Sequence, residues 1–252
     1  MTELNHSGHD FSLLLWRWES FVEKVGWKID VIAKASDRKV IAIQNEKAAN
    51  GDLGGLYISA GVHGDECAPV WALLQWCEAK EYPKDRPITL FPCLNPHGLV
   101  ENTRGDHLGI DLNRSFQHQS HPVVAAWMRF LQGRKFDTAV NLHEDYDSTG
   151  IYLYELARRG SPGDELLKAC EDIIPREASG MVDGNPFENG LLRREAAEEE
   201  LRQIVEAELE GGWPEAIWLY LFHAENSFTF ETPSEMALER RIKAHRRFLN
   251  AL

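Results

Sequence analysis

The sequence alternates short apolar runs with amphipathic helical patterns, and this alternation constrains the fold more than any other feature. Apolar runs at 56–60, 88–94, 136–142 and 227–232 predict buried strands, and patterns at 69–77 and 124–131 predict helices between the first three. Strands that alternate with helices form largely parallel sheets. We therefore expect an α/β fold in three layers, with a mixed, largely parallel sheet and helices on both faces.

The chain has 252 residues, of which 43% are hydrophobic, and this is enough for one large domain. No internal repeat or linker divides it, so we expect a single domain over 1–252. Residues 1–55 should form an N-terminal helix and hairpin. The segment at 144–220 is acidic, since residues 144–210 hold 18 acidic and seven basic side chains and so carry most of the net charge of −13.

The charge and the apolar pattern exclude several classes of partner. A net charge of −13 argues against nucleic acid, because proteins that bind its phosphates concentrate positive charge. No apolar run is long enough to span a membrane, and no secretory signal is evident, so we expect a cytoplasmic protein without a membrane partner. The four cysteines lack the spacing of a zinc knot or a disulfide framework and are expected to be buried thiols. The oligomeric state cannot be derived from these features.

A histidine and a glutamate three residues apart follow the first buried strand. His63 and Glu66 lie between the strand at 56–60 and a helix opened by Pro69. On a tight loop, an imidazole nitrogen and a carboxylate can supply two of the three protein ligands of a catalytic zinc ion. The pair alone is also typical of ordinary surface, but ligands bind at strand ends in α/β sheets. We therefore expect a metal site here.

The third ligand should be a histidine or a carboxylate at the end of a neighbouring strand. His143 follows the strand predicted at 136–142, and we expect it to complete the site; a satisfied histidine at a sheet edge is the alternative. Glu144 and Asp145 come next. Two carboxylates beside a ligand histidine can hold a second divalent ion, as in two-metal hydrolases. Alternatively, they are solvated or pair with Arg104.

The turn-rich segment at 95–121 carries groups that suit an anionic substrate. Asn113 and Arg114 provide planar donors for a carboxylate, and Arg104, ten residues before Arg114, could reach an oxyanion. Arginines near a metal are also common as simple surface charges, but two of them share this loop. The segment therefore predicts a carboxylate clamp and an oxyanion donor.

Glu231 ends the last predicted strand, where a carboxylate costs free energy unless it has a partner. Water on a metal ion would be such a partner. The pKa of such water falls toward ~7, and a neighbouring glutamate can take its proton and pass it to a leaving amine. The position therefore predicts a general base and acid.

Taken in order, these segments resemble the M14 metallocarboxypeptidase superfamily, including its compact branch of murein peptide amidases and the succinylglutamate desuccinylase/aspartoacylase group. The motifs are G-V-H-G-D-E at 61–66, N-P-H-G at 95–98, D-L-N-R-S-F at 111–116, N-L-H at 141–143 and T-F-E-T at 229–232. The resemblance runs from about residue 56 to 233 and implies a zinc carboxypeptidase-like fold. It also implies one Zn²⁺ on His63, Glu66 and His143, Arg104 as oxyanion stabiliser, Asn113 and Arg114 as carboxylate clamp, and Glu231 as base and acid.

The resemblance implies a zinc-dependent hydrolase that cleaves an amide bond next to a free carboxylate, as a metallocarboxypeptidase-type peptidase does. An N-acyl amino acid deacylase of the aspartoacylase/succinylglutamate desuccinylase type is the main alternative, and an esterase is chemically available. A non-catalytic metal-binding homologue is the alternative outside hydrolysis. The expected substrate is a small peptide or an N-acyl amino acid with a free carboxylate, and the acidic segment at 144–220 should shape its pocket.

Two features depart from the family pattern. Glu144 and Asp145 follow the third ligand, where the family often has a small polar residue. Long carboxypeptidases also have a tyrosine that caps the substrate, and here Tyr220 is predicted on a buried helix. This leaves Tyr146, Tyr152 and Tyr154 as candidates.

Overall fold

The computed structural model describes residues 8–178, 180–182, 185–194 and 197–252. The strands are β1 (Lys28–Ala35), β2 (Arg38–Gln44), β3 (Leu56–Ala60), β4 (Ile88–Phe91), β5 (Phe136–Asp145), β6 (Tyr152–Ala157), β7 (Gly180–Val182), β8 (Asn185–Phe187), β9 (Leu191–Arg194) and β10 (Ala224–Pro233). The helices are α1 (Phe11–Val25), α2 (Glu46–Ala49), α3 (Cys67–Glu78), α4 (Pro96–Glu101), α5 (Pro122–Leu131), α6 (Gly163–Lys168), α7 (Glu198–Glu208), α8 (Glu215–Phe222) and α9 (Leu238–Ala251). A 3₁₀ turn covers Leu112–Arg114.

Eight strands form one mixed sheet in the order β1-β2-β4-β3-β5-β10-β6-β9. The four central strands β4, β3, β5 and β10 are parallel to one another, while β2 and β6 run antiparallel to the strands beside them in the centre. Strands β7 and β8 form a separate antiparallel pair. The predicted mixed α/β sheet is confirmed.

Alternating side chains of the central strands fill two apolar cores, one on each face of the sheet. On β3, Ile58 packs into a core shared with α1, α3 and α9, whereas Tyr57 packs into a core with α5 and α8. Helices therefore cover both faces, because each face of a strand with period-two alternation needs its own apolar cover. The predicted three layers are present.

Several elements differ from their expected boundaries. Helix α3 begins at Cys67, directly after Glu66, instead of at Pro69. Strand β5 continues to Asp145, so the third predicted ligand lies inside the strand and not after it. The expected turns at 95–121 include the helix α4, which Pro96 opens and which the side chain of Asn95 caps by accepting from the N–H of Gly98 at 2.8 Å.

The parallel strands bring the predicted residues to one edge of the sheet. The carboxyl ends of β3, β5 and β10 are neighbours, and they lead to His63, His143 and Glu231 respectively. Within the described part of the chain, no helix is both long enough and apolar enough to cross a membrane.

Candidate metal centre and active site

Three buried side chains meet where β3 and β5 end. One ligand atom each from His63, Glu66 and His143 lies within 4.8 Å of the others. Nδ1 of His63 contacts the carboxylate of Glu66, and Nδ1 of His143 lies 2.9 Å from its Oε2. Two imidazole nitrogens and one carboxylate are a typical protein ligand set of a catalytic zinc ion. The structure therefore brings the three predicted ligand residues together.

The loop between β3 and α3 is shaped by close backbone packing. Gly64 lies against α4, and a Cβ at this position would come within 1.9 Å of the carbonyl carbon of Gly98. Glu66 is the first residue before α3, and its Oε2 accepts from the backbone N–H of Glu144 at 3.1 Å. These contacts fix the loop and aim the carboxylate at the two histidines.

Asp111 orients the first histidine from outside the cluster. Its Oδ1 lies 3.2 Å from Nε2 of His63 and also accepts from the N–H of Asn113 at 2.8 Å. An aspartate on Nε2 leaves Nδ1 as the ligand atom of the imidazole, a common arrangement around zinc. Sequence reasoning gave Asp111 no role, although it begins the D-L-N-R-S-F motif.

The charged groups of the cluster act strongly on one another's pKa values. Burial by itself lowers the pKa of His63, but Glu66 and Asp111 raise it to about 9. Burial likewise opposes ionisation of Glu66, and the two histidines nevertheless hold its pKa well below the ordinary value. The site therefore concentrates negative charge between two imidazoles, where a divalent cation can take the place of protons.

Glu231 lies beside the cluster on the neighbouring strand. Parallel pairing of β10 with β5 puts Glu231 directly opposite His143. Its side chain is buried, and its Oε2 has no hydrogen-bond partner among the described residues. Burial and the nearby Glu66 raise the pKa of Glu231 to about 8, although His143 acts in the opposite direction. A buried carboxylate oxygen without a partner fits a group that faces a bound water or substrate.

Arg104 approaches the cluster from the loop after α4. Its Nε donates to Asp111 Oδ2 at 3.0 Å, and its Nη1 lies 3.3 Å from Nδ1 of His63. Half of the side chain is exposed, at 49%. The guanidinium is thus held next to a predicted ligand atom, where an oxyanion would form, and it pairs with Asp111 instead of with Glu144 or Asp145.

Asn113 and Arg114 lie on the 3₁₀ turn and reach the same region. Oδ1 of Asn113 accepts from the backbone N–H of Glu215 at 3.0 Å, so that its Nδ2 is the free end of the amide. The aliphatic part of Arg114 packs against Gly212, where a Cβ would lie 2.9 Å from Cδ of the arginine. Both residues present donors to one cavity.

This cavity has a volume of about 490 Å³ and opens beside the catalytic candidates. Its polar lining includes Arg104, Asn113, Arg114, Tyr152, Tyr154 and Glu231. Its apolar lining includes Leu156, Leu192, Leu201, Ile204 and Ile217. The apolar wall comes from the acidic segment at 144–220, which therefore contributes its apolar residues to the cavity as well as acidic ones such as Glu177.

Glu144 and Asp145 do not build a second cation site. Because β5 continues through them, Glu144 points to the opposite face of the sheet from His143. There its carboxylate accepts from Arg241 and from the N–H of Ala68 at 2.9 Å, while Asp145 accepts from the hydroxyl of Tyr152 at 2.8 Å. These contacts contradict the predicted second ion, and no other such group of ligand side chains occurs in the described ranges.

The candidate tyrosines separate into two groups. Tyr220 is buried on α8, as predicted, and Tyr146 is exposed. Tyr152 and Tyr154 line the cavity, and Tyr152 pairs across the strands with Glu231. Burial and the nearby Glu231 raise the pKa of Tyr152 far above its ordinary value, so this phenol stays protonated at neutral pH and keeps its hydrogen bond to Asp145.

The fold is that of the metallocarboxypeptidases. A candidate metallopeptidase from Shewanella denitrificans is 20% identical, with a TM-score of 0.83 over 100% of this chain and 92% of the other. A metallo-carboxypeptidase from Burkholderia cenocepacia is 14% identical, with a TM-score of 0.65 over 94% and 67%. Bovine thrombin-activatable fibrinolysis inhibitor, in complex with tick carboxypeptidase inhibitor, is 15% identical, with a TM-score of 0.64 over 98% and 95%.

The sequence also matches a family model over slightly less than half of the chain. Residues 52–170 match the family model of the succinylglutamate desuccinylase/aspartoacylase catalytic domain. This range holds His63, Glu66 and His143 and ends before Glu231. No protein of curated function matches the chain significantly. The predicted resemblance is confirmed for the fold by the solved structures, and for residues 52–170 by this family model.

Proposed function

We propose that the protein is a zinc-dependent hydrolase that cleaves an amide bond adjacent to a free carboxylate. The single observation that carries the proposal is the juxtaposition of a three-residue ligand cluster with Glu231, whose buried Oε2 has no partner among the described residues. The ligand set of His63, Glu66 and His143 fits zinc better than a hard cation, because two of three ligand atoms are imidazole nitrogens.

When bound, the zinc ion would act as a Lewis acid that polarises the scissile carbonyl and lowers the pKa of water, and its charge would favour the ionised form of Glu231. Glu231 takes a proton from the attacking water at its free Oε2 and passes it to the departing nitrogen. Arg104 donates to the developing oxyanion from its place beside His63. Asn113 and Arg114 hold the substrate carboxylate, and the apolar wall of the cavity excludes water from the remainder of the substrate.

A metallocarboxypeptidase-type peptidase is our first assignment, because the cavity of about 490 Å³ combines the candidate carboxylate clamp with an apolar wall that suits a peptide side chain. A deacylase of N-acyl amino acids is the second, favoured by the match of residues 52–170. We place the protein in the cytoplasm, acting on small peptides or N-acyl amino acids, without nucleic acid or membrane partners. The segment at 144–220 is proposed to shape the substrate pocket within a single domain.

The test is hydrolysis by the zinc-loaded protein of dipeptides, N-acyl amino acids and the corresponding esters. Each substrate is compared with a form whose carboxylate is blocked as an amide. Glu231→Gln keeps the shape of the side chain and should abolish turnover while zinc still binds. Stoichiometric zinc with no hydrolysis that depends on Glu231 would instead support a non-catalytic metal-binding protein.

Arg104→Ala tests the oxyanion donor. Removal of one such donor typically lowers kcat by about 10²–10³. We expect this loss with unchanged zinc content, because Arg104 is not one of the three ligands. Arg17→Ala is the matched control, since Arg17 pairs with Glu78 on the outside of the helices. Wild-type turnover by Arg104→Ala would exclude the role.

A further inference from the structure

A buried carboxylate lies beneath the site and has no place in the mechanism above. Glu215 is the first residue of α8 and is 0% exposed. The hydroxyl of Tyr57 donates to its Oε1, and the hydroxyl of Ser59 donates to its Oε2 at 2.9 Å. Both donors come from β3, the strand that leads to the metal loop. The carboxylate thus ties the start of α8 to the centre of the sheet.

The donors of Glu215 are themselves held by further donors. Nε1 of Trp127 on α5 donates to the hydroxyl of Tyr57 at 2.7 Å, and Nδ2 of Asn141 on β5 donates to that of Ser59 at 2.9 Å. All four partners are buried, and every bond in the two branches points toward the same carboxylate. Burial of a carboxylate is costly unless it is fully bonded, and removal of one partner leaves others unsatisfied. The network therefore fixes residue 215 in one position.

The backbone N–H of Glu215 links the buried network to the substrate side of the site. Its N–H donates to Oδ1 of Asn113 at 3.0 Å. An amide side chain whose oxygen accepts this bond has its two N–H donors on the opposite atom, Nδ2. Asn113 lines the cavity together with Arg114, so these donors face the place where we put the substrate carboxylate. With its amide reversed, Asn113 would present an oxygen to that carboxylate and repel it.

We propose that Glu215 is a positioning residue, which through its buried network and its backbone N–H sets the orientation of Asn113 for binding of the substrate carboxylate. The inference rests on the proposed function, because it takes Asn113 as part of the carboxylate clamp. Glu215 does not touch substrate or metal. Its effect should therefore fall on substrate binding, and only for substrates whose carboxylate is free.

The test compares Glu215→Gln and Ser59→Ala with Asn113→Ala. Glu215→Gln places an amide nitrogen, itself a donor, against one of the two hydroxyl donors. Ser59→Ala removes one of these donors and hardly changes the volume of the side chain. A hydrogen bond to a charged group contributes enough that its loss changes binding by about tenfold or more. We expect both variants to raise KM for free-carboxylate substrates by about tenfold, with kcat changed less than about threefold and zinc content unchanged. The substrate with a blocked carboxylate should show no such rise.

A double-mutant cycle separates positioning from general destabilisation. In an Asn113→Ala background, Glu215→Gln should give no further rise in KM, because the group that it positions is absent. Leu219→Ala is the control, since Leu219 is buried in the same helix and contributes to the apolar core. It should lower Tm but leave KM unchanged. Additive effects of the two substitutions, or the same KM change for Leu219→Ala, would overturn the proposal.

A readout that does not require activity keeps this proposal separate from the proposed function. Exchange of the backbone amide hydrogen of residue 215 should accelerate in Ser59→Ala and in Asn113→Ala, but not in Leu219→Ala. Unchanged exchange in Ser59→Ala would overturn the positioning role. If the wild-type protein hydrolyses no substrate but exchange accelerates in Ser59→Ala, the proposed function is contradicted, whereas the positioning of Asn113 by Glu215 is supported.

Discussion

One carboxylate, that of Asp111, links three parts of the site. Its Oδ1 contacts Nε2 of His63 and the N–H of Asn113, and its Oδ2 accepts from Nε of Arg104. Burial opposes ionisation, but His63 and Arg104 hold the pKa of Asp111 well below its ordinary value. A permanently ionised Asp111 therefore orients the proposed metal ligand His63 and the proposed oxyanion donor Arg104 at the same time.

Asp111→Ala should weaken zinc binding by about 10–100-fold, the usual effect of removing a partner that orients a ligand histidine. Competition with a chromophoric chelator measures this affinity. Asp52→Ala provides the control because Asp52 is exposed and precedes β3, whereas His63 follows the other end of that strand. Equal zinc affinity of the wild-type protein and Asp111→Ala would show that His63 needs no external orientation.

At the scale of the secondary-structure elements, Glu144 joins three of them behind the metal loop. It lies on β5, accepts from the N–H of Ala68 on α3, and pairs with Arg241 on α9. Thr232 and His245 extend this contact, with Nε2 of the histidine 3.0 Å from the threonine hydroxyl. Burial and the nearby Arg241 lower the pKa of His245 to about 3, so it is neutral at neutral pH. The ion pair of Glu144 and Arg241 thus holds α9 against β5, the strand that carries His143.

Arg241→Met should destabilise the fold by about 3–5 kcal/mol, because it leaves Glu144 as an unpaired buried charge. Urea unfolding monitored by circular dichroism gives this free energy. The double variant Glu144→Gln/Arg241→Met should recover part of the loss. Lys243→Met, on an exposed face of the same helix, is the matched control and should change stability little. A similar loss for Lys243→Met would mean that the ion pair is not responsible.

Glu215, at the start of α8, should make stability depend on pH. Burial raises its pKa from 4.5 to about 7, although Tyr57 and Ser59 act in the opposite direction. The folded protein therefore binds this proton more tightly than the unfolded chain does. The contribution of this proton to the free energy of unfolding is fully present below pH 4.5 and is lost as pH rises through about 7. The size is about 3 kcal/mol, since one pKa unit corresponds to about 1.4 kcal/mol.

Unfolding free energies at several values of pH between 4.5 and 7.5 test this expectation. As pH rises across this interval, the wild-type protein should lose more unfolding free energy than Glu215→Gln does. Leu219→Ala should show the pH slope of the wild type. A parallel slope for Glu215→Gln and the wild type would assign the pH dependence to other groups.

At the scale of the whole molecule, the sequence predicts the sheet and the cluster for the same reason. Apolar runs define β3, β5 and β10, and the carboxyl ends of parallel strands meet at one edge, so His63, His143 and Glu231 follow from the strand pattern. Contacts between residues far apart in sequence leave no such pattern. Glu215 is 158 residues from Tyr57, and nothing in its local sequence distinguishes it from an ordinary glutamate at a helix start.

The failed prediction at Glu144 has a different origin. The sequence pattern ended the strand at 142, whereas β5 extends to Asp145. Successive side chains of a strand point to opposite faces, so a boundary error of three residues placed Glu144 on the wrong side of the sheet. Sequence patterns predict strand boundaries less well than strand cores, because polar residues at strand ends do not alternate with apolar ones.

Zinc should stabilise the whole fold, because its proposed ligands come from β5 and from the loop between β3 and α3. A ligand at 100 times its Kd adds about 2.7 kcal/mol. For a chain of this size, this corresponds to a rise in Tm of about 5–10 °C. Thermal unfolding with zinc and with excess chelator measures it. His143→Ala should lose the shift, and Mg²⁺, which prefers oxygen ligands, should not produce it. A zinc-dependent shift that persists in His143→Ala would place the ion elsewhere.

The pairing of Glu231 opposite His143 has a consequence for how such a protein can diversify. Backbone hydrogen bonds between two adjacent parallel strands set the separation of these residues, and the described connection at 197–223 takes no part in that pairing. Insertions or deletions in the connection leave the spacing intact, whereas one residue added within β10 before Glu231 turns its side chain to the far face. The substrate-facing wall can therefore change in length and composition while the reaction chemistry stays constant.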